Sequence, residues 1–390
     1  MKIGIITFQL AWNCGAVLQC AALKRKLESW GNEVEVINYL PDYKRYRYVK
    51  YQNPFKVAYK NFSQNKKQKK LTRLKKALKA SVRVVLNYSS KSGRLKQKND
   101  FAEFNEHFLN LTREYHNLKE LQKDPPACDV YISGSDQLWN PNLTNGTPDG
   151  AYFLDFGDKQ IVKASYAVSV CELDVNKWRS ELKALLCNFD YISLRETEMK
   201  SDLEDICQKE ISVCIDPTFL LDADAYLEFE KTVECPDKYL LVYALDNPGS
   251  NDLLFKTVKK LSEKRGLEIM VISGPHKWPY SVRKYSPQDG ISPGEFLTYI
   301  KNADVVVTNS FHATAFSVIY QKDFYTITTP GRGSRVTELL TNLQLQDRLL
   351  TDSDNMLDGT YKTLDYSIVK EKLLKHRLSS EVYLRNVINE

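Results

Sequence analysis

The sequence predicts an α/β protein built from two Rossmann-like domains with parallel sheets. Three observations carry this. Short apolar or β-branched runs of strand length alternate with helical patterns from the first residues onward, the signature of parallel strands covered by helices on both faces. The alternation breaks once, where Asp216-Pro217-Thr218 and the polar stretch 231–237 leave one unit before a new apolar strand begins. A length of 390 residues suffices for two domains with cores of their own.

In chain order, residues 3–8 form a first strand, and a turn containing Asn13 and Gly15 leads into a helix over 17–30 with Leu18, Ala22, Leu27 and Trp30 at helical spacing. Gly31-Asn32 ends that helix, and residues 33–39 alternate as a second strand. Further strands at 129–133, 192–194 and 213–215 belong to the first domain. Those at 239–244, 269–273, 305–308 and 325–328 belong to the second, with helices over 253–264 and 296–302 between them. The boundaries expected are 1–225 for the first domain, 226–360 for the second and 361–390 for a C-terminal helix.

Apolar residues make up 43% of the chain and charged residues 27%, which excludes wholesale disorder. No uncharged apolar run approaches the roughly 20 residues of a membrane span. Lys2 before the first apolar run imitates a signal peptide, but Gln9 and Asn13 interrupt it, so the run reads as a strand. Eight scattered cysteines without a C-x-x-C pair, and without histidine at zinc-finger spacing, argue against a structural metal site and for thiols packed in a reducing cytosol.

The net charge of +6 is a local device. Residues 43–99 hold 19 Lys or Arg and no acid, leaving 36 basic against 49 acidic residues elsewhere. Within this segment Leu71, Leu74, Leu78, Val82 and Val85 share one helical face ringed by lysines and arginines, so a basic helical insertion in the first domain is expected. Its apolar stripe can dock on the protein's own first domain while the cations face an anionic membrane surface. The acidic remainder would repel a nucleic-acid backbone, so a polyanion-binding protein is the weaker alternative and no nucleic acid is expected as a partner.

Ligands of open parallel sheets bind beyond the carboxyl ends of the strands, and three loops there carry chemistry. Gly134-Ser135-Asp136-Gln137-Leu138-Trp139-Asn140 combines hydrogen-bonding side chains with an indole, a composition suited to sugars, or else a polar turn capped by Asp136. Asn309-Ser310-Phe311-His312 opens a helix straight after a buried strand, where free N–H groups favour an anion beside a proton donor; a structural histidine is the bland reading. Pro330-Gly331-Arg332-Gly333-Ser334-Arg335 offers two guanidinium forks at another helix start and is not a Walker A loop. Arg195, after the strand at 192–194, is placed to join them, which points to a small polyanion held between the domains.

These residues resemble the polysaccharide pyruvyl transferase family. The matching motifs run in family order: Asn13-Cys14-Gly15-Ala16-Val17-Leu18-Gln19, the loop Gly134 to Asn140, Ala164-Ser165-Tyr166-Ala167, Ser193-Leu194-Arg195-Glu196, Asp216-Pro217-Thr218, and Asn309-Ser310-Phe311-His312 with Phe316-Ser317. The resemblance implies a glycosyltransferase-B-like pair of domains that moves the enolpyruvyl group of phosphoenolpyruvate onto a sugar as a cyclic ketal, without metal or cofactor. His312 is then the acid and Asp136 the candidate base. Arg195, Ser310, Arg332 and Arg335 would bind phosphoenolpyruvate, with Ser310 standing where many members carry arginine. Asn13, Gln19, Gln137 and Trp139 would line the acceptor, a glycan or lipid-linked glycan at the cytoplasmic face of the membrane. A nucleotide-sugar glycosyltransferase on the same fold is the alternative, since the same arginines could clamp a diphosphate.

Overall fold

A computed structural model describes residues 1–44, 74, 78, 91–245, 252–272, 290–328, 333–350 and 364–389. Strand β1 (Lys2–Ile6) lies at the centre of the first sheet, with β2 (Glu33–Tyr39) and β3 (Leu111–Tyr115) on one side. On the other side stand β4 (Val130–Ser133) and β5 (Val162–Ser165). All four pairings are parallel, in the order β3-β2-β1-β4-β5. Parallel bridges Ala164–Tyr191 and Val168–Leu194 join this sheet to a further parallel pair, β6 (Ile192–Leu194) and β7 (Ile211–Val213). The second sheet runs β12-β11-β10-β8-β9. It is also parallel, built from β8 (Tyr239–Tyr243), β9 (Glu268–Val271), β10 (Val305–Thr308), β11 (Asp323–Ile327) and β12 (Leu349–Leu350).

In each sheet the strand order reverses once, between β1 and β4 and between β8 and β10. A crevice opens beyond the strand ends at such a reversal. Arg195 and Asp216, which follow β6 and β7, meet His312, which follows β10, so the two domains face each other there.

Helix α1 (Cys14–Glu28) is the wedge between the domains. Asn13 caps it, its side-chain oxygen accepting from the Gly15 and Ala16 N–H groups at 3.0 and 3.4 Å. Its buried residues include Cys14, Val17, Leu18, Ala21 and Leu27, because it packs on the first sheet and also meets the 3-10 turn Pro217–Leu220 and a helix of the second domain, Pro293–Asn302. A single apolar cluster consequently runs from Ile3 and Val17 through Phe219 to Phe316 and Leu384. Burial on this scale contributes about 25 cal/mol per Å² of apolar surface.

The long helix Tyr366–Val387 is capped by Asp365 and returns to the first domain. There Tyr383 donates to the Ser165 carbonyl at 2.7 Å, Ser380 accepts from the Ile215 N–H at 3.0 Å, and Arg377 donates to the Phe219 carbonyl at 2.6 Å. The basic stretch expected as a helical insertion falls for the most part outside the described residues. Leu74 and Leu78, which are within them, are exposed. No described helix is long and apolar enough to cross a membrane. The eight cysteines are free, and burial pushes the Cys20 and Cys214 thiols up to about 12.

Candidate functional site

His312 is placed by a short, heavily pinned turn. Strand β10 ends at Thr308, whose hydroxyl donates to the Tyr243 carbonyl at 2.6 Å and accepts from the Ser310 N–H at 2.9 Å. The next helix, Phe311–Ile319, starts at Ser310, whose Oγ accepts from the Ala313 N–H at 3.4 Å. Thr314 donates back to the Ser310 carbonyl at 3.0 Å. His312 is therefore the second residue of a buried helix and is itself 6% exposed. Its ring lies against the start of α1: a Cβ built on Gly15 would fall 2.2 Å from Cγ and 2.3 Å from Nδ1 of the imidazole.

Opposite it stands Asp216, three residues beyond the end of β7. The carboxylate divides its duties. Oδ1 accepts from the Thr218 N–H at 3.0 Å and from the Thr218 hydroxyl at 2.8 Å. Oδ2 accepts from Arg195 Nη1 at 2.6 Å and from Ser135 Oγ at 3.3 Å, and lies 3.7 Å from His312 Nε2. Burial alone would raise this carboxyl, but the His312 imidazole, the Arg195 charge and the Thr218 N–H hold it well below the usual carboxylate range.

Arg195 is pinned from two sides. Besides Asp216 it has Glu196 Oε2 at 3.6 Å from Nε, and its guanidinium stands 4.6 Å from the centre of the Phe311 ring. Burial would lower its pKa; the charges of Asp216 and Glu196 more than offset this. Glu196 is itself fixed, its Oε1 accepting from the Val170 N–H at 3.0 Å and from Ser169 Oγ.

Arg335, in the helix Gly333–Asn342, completes the group from the second domain. It is 9% exposed, and its guanidinium comes within 6.0 Å of the same Phe311 ring. It has no ion pair among the described residues. The Gln137 amide, with its oxygen turned toward it, accepts from Nη2 and Nη1 at 3.0 and 3.2 Å. Burial and the like charge of Arg195 both lower the Arg335 pKa. Arg195 Nε and Nη2, Arg335 Nε, His312 Nε2 and Glu196 Oε2 are buried without a hydrogen-bond partner among the described residues. Arg195, Glu196, Asp216, Phe311, Arg335 and Glu338 line a cavity of about 780 Å³. Across its mouth the domains are latched by Thr197, whose N–H donates to both Glu338 carboxylate oxygens at 3.1 Å.

The sequence model that describes polysaccharide pyruvyl transferases matches residues 13–330, which spans every element of this group except Arg335 and Glu338. The chain belongs to the polysaccharide pyruvyl transferase family. It is thus a transferase, and its family acts in polysaccharide biosynthesis. No curated protein matches the sequence. Among solved structures, S. aureus MnaA with UDP has 12% identity and a TM-score of 0.49, over 100% of this chain and 98% of that one. UDP-GlcNAc 2-epimerase from Neisseria meningitidis has 12% identity and a TM-score of 0.45, over 100% of both chains. Spinosyn rhamnosyltransferase SpnG has 10% identity and a TM-score of 0.44, also over 100% of both.

In this pyruvyl transferase family member, His312, Arg195 and Arg335 converge as the sequence suggests, while Arg332 lies outside the described residues. Asp136 is half-buried at φ +83°, its Oδ1 accepting from the Gln137 N–H at 2.8 Å, and its charge bears on both Arg195 and Arg335.

Two expected ligand contacts need correction. Trp139 is fully buried, stacked on Phe153 at 4.7 Å, with its indole N–H donated to the Tyr152 carbonyl, so it offers no face to a sugar. Gln19 is also fully buried, donating to Thr7 Oγ1 and to the Ala16 carbonyl. Asn13 and Ser310 each use a side-chain oxygen as a helix cap, which leaves the amide N–H groups of the one and the hydroxyl hydrogen of the other as donors.

Asp216 and Glu196 were visible only as motif members. Acidic residues next to an expected anion site draw no attention until their cationic partners are placed. A strong hint lay in Asp216-Pro217-Thr218, where a capping residue needs one oxygen and aspartate supplies two.

Proposed function

We propose that the protein is a phosphoenolpyruvate-dependent pyruvyl transferase that builds a pyruvate ketal on a sugar of a cell-surface polysaccharide precursor. The observation that carries this is Arg335: a buried guanidinium without a carboxylate partner among the described residues, beside Arg195 and on the wall of the interdomain cavity. A buried cation of this kind is costly unless an anion completes it. Phosphoenolpyruvate brings a carboxylate and a phosphate, which suits the unpartnered N–H groups of the two arginines.

The residues then divide the chemistry. His312 gives a proton to the methylene carbon, which makes the adjacent carbon electrophilic. A sugar hydroxyl adds there and gives its proton to Asp136. Phosphate leaves, a second hydroxyl of the same sugar closes the ketal, and its proton departs with the phosphate. A positioned acid of this type contributes typically about 10²- to 10⁴-fold.

The test is His312→Ala, assayed for phosphate release from phosphoenolpyruvate with p-nitrophenyl hexosides as acceptors. We expect a loss of at least about 100-fold, with calorimetric binding of phosphoenolpyruvate retained. Turnover near that of the wild type removes His312 from the mechanism. Titration of the wild type with nucleotide sugars in parallel separates this reading from a glycosyltransferase, which would bind them and not phosphoenolpyruvate.

The acceptor we propose is a glycan or lipid-linked glycan, met at the cytoplasmic face of the membrane. The support is the run of 19 Lys or Arg with no acid among them in residues 43–99, a lysine or arginine near an anionic leaflet contributing about 1 kcal/mol. Co-sedimentation with anionic liposomes at low salt, and release at high salt, checks it; equal binding to neutral liposomes would count against charge as the cause.

A further inference from the structure

Asp216 has an ordinary explanation that covers half of it. An aspartate before proline caps the turn that follows, and Oδ1 does so through the Thr218 N–H and hydroxyl. Asparagine or serine would cap as well. The cap does not account for Oδ2, which carries the contacts that need a charge. That one oxygen is 2.6 Å from Arg195 Nη1 and 3.7 Å from His312 Nε2, with Ser135 Oγ at 3.3 Å. Arg195 and Ser135 come from the first domain and His312 from the second. Asp216 is also the carboxylate within ion-pair distance of His312 among the described residues. The other charged groups that bear on Arg195 are Glu196, at 3.6 Å, together with Asp136 and Arg335.

We infer that Asp216 is the positioning residue of the transfer reaction, its Oδ2 serving as the counter-charge of the His312 imidazolium while it fixes the Arg195 guanidinium beside it. This rests on the function proposed above. In the step it supports, the proton passes from the imidazolium to the methylene carbon of the enol phosphate, and the imidazole left behind is neutral. The carboxylate keeps its charge throughout and takes no proton. It sets where the proton donor stands.

This role has a signature that a scaffold role lacks. The Asp216 charge stands next to a site for an anion, so it opposes ground-state binding of phosphoenolpyruvate while holding the proton donor in place. Asp216→Asn keeps the turn cap, removes the charge and leaves Arg195 freer to meet the anion.

The experiment uses the full chain, with calorimetry for phosphoenolpyruvate and phosphate release with the p-nitrophenyl hexoside that the wild type uses best. The expected result for Asp216→Asn is a kcat at least about tenfold lower, the low end for a mispositioned acid, with the dissociation constant for phosphoenolpyruvate unchanged or smaller. The double variant Asp216→Asn/His312→Gln should be no slower than His312→Gln alone, because both changes remove one device.

Wild-type kcat in Asp216→Asn overturns the inference, as does binding that weakens in step with kcat alongside additive losses in the double variant. If Asp216→Asn does not fold, Asp216→Glu carries the test, since it keeps the charge and shifts it by one methylene. A drop in kcat with binding retained supports the role, and wild-type kcat overturns it. A wild type that binds no phosphoenolpyruvate defeats the proposed function itself. A wild type that binds and turns over, with Asp216→Asn equally fast, defeats this inference alone.

Discussion

The imidazole of His312 rests directly on the backbone of Gly15, at the first turn of α1: a Cβ added there would come within 2.4 Å of two ring atoms and of the His312 Cβ. Elsewhere in a helix, glycine to alanine stabilises by up to about 1 kcal/mol. Here the added methyl meets a buried ring, and overpacking costs about 1 to 3 kcal/mol. We therefore expect Gly15→Ala to lower the unfolding temperature slightly or leave it unchanged, and to lower phosphate release at least about tenfold by displacing the acid. Full activity in a normally folded Gly15→Ala would show that the ring can move without consequence.

Arg195 and Arg335 should separate in their effects on stability. Removing Arg195 leaves Asp216 buried without the guanidinium at 2.6 Å, which typically costs about 3 to 5 kcal/mol. Removing Arg335 takes away a cation that burial and Arg195 already disfavour. Arg335→Ala should thus leave urea unfolding close to wild type, yet weaken phosphoenolpyruvate binding by about 1.5 to 3 kcal/mol, the worth of a charge-assisted contact. Arg195→Ala should lose both. Equal destabilisation by the two changes would contradict the pairing described.

Acid should expose the Asp216 linkage. Its carboxyl is held below the ordinary 3.8 in the folded chain, so its stabilisation is present above that pH and is lost as pH falls toward the folded value. Urea unfolding at pH 7, 5 and 3 should show the wild type losing stability more steeply than Asp216→Asn between the two lower values. Parallel curves would mean that the native carboxyl titrates normally.

Trp139 should behave as core. Trp139→Ala is expected to cost about 3 to 5 kcal/mol in unfolding free energy, and Trp139→Phe much less. Neither should alter the KM for a hexoside acceptor when assayed below the unfolding transition. A raised KM in folded Trp139→Phe would return the indole to the acceptor.

The parts of this fold that could be read from residues are those where local pattern and burial agree. The runs Val305–Thr308 and Tyr239–Tyr243 are buried at every position, so an uninterrupted apolar stretch announces a central parallel strand. Strand β3 was missed because it is an edge strand whose five residues, LTREY, include two exposed and two half-buried ones. Strand β5, VKAS, hides behind Lys163, which reaches the Gly157 carbonyl.

His312 could be singled out because it follows a buried strand at a helix start. Its contacts with Gly15 and Asp216 join segments far apart in the chain, and no periodicity encodes them. Trp139 misled for the opposite reason: its neighbours Asp136, Gln137 and Asn140 are polar, and only the packing of Phe153 and Phe189 shows which way the indole turns.

The helix Tyr366–Val387 sets the order in which the chain can mature as it leaves the ribosome. Arg377 seals the Phe219 carbonyl, which precedes it by 158 residues. At about 5 to 20 residues per second, that carbonyl and its neighbours wait roughly 8 to 30 s for their partner. During that interval Phe219, Tyr166 and the underside of Cys214 lack the cover that Ser380 and Tyr383 later supply. The first domain is the first to be synthesised and among the last to be finished, so nascent chains halted before residue 366 are where chaperone demand and aggregation should concentrate.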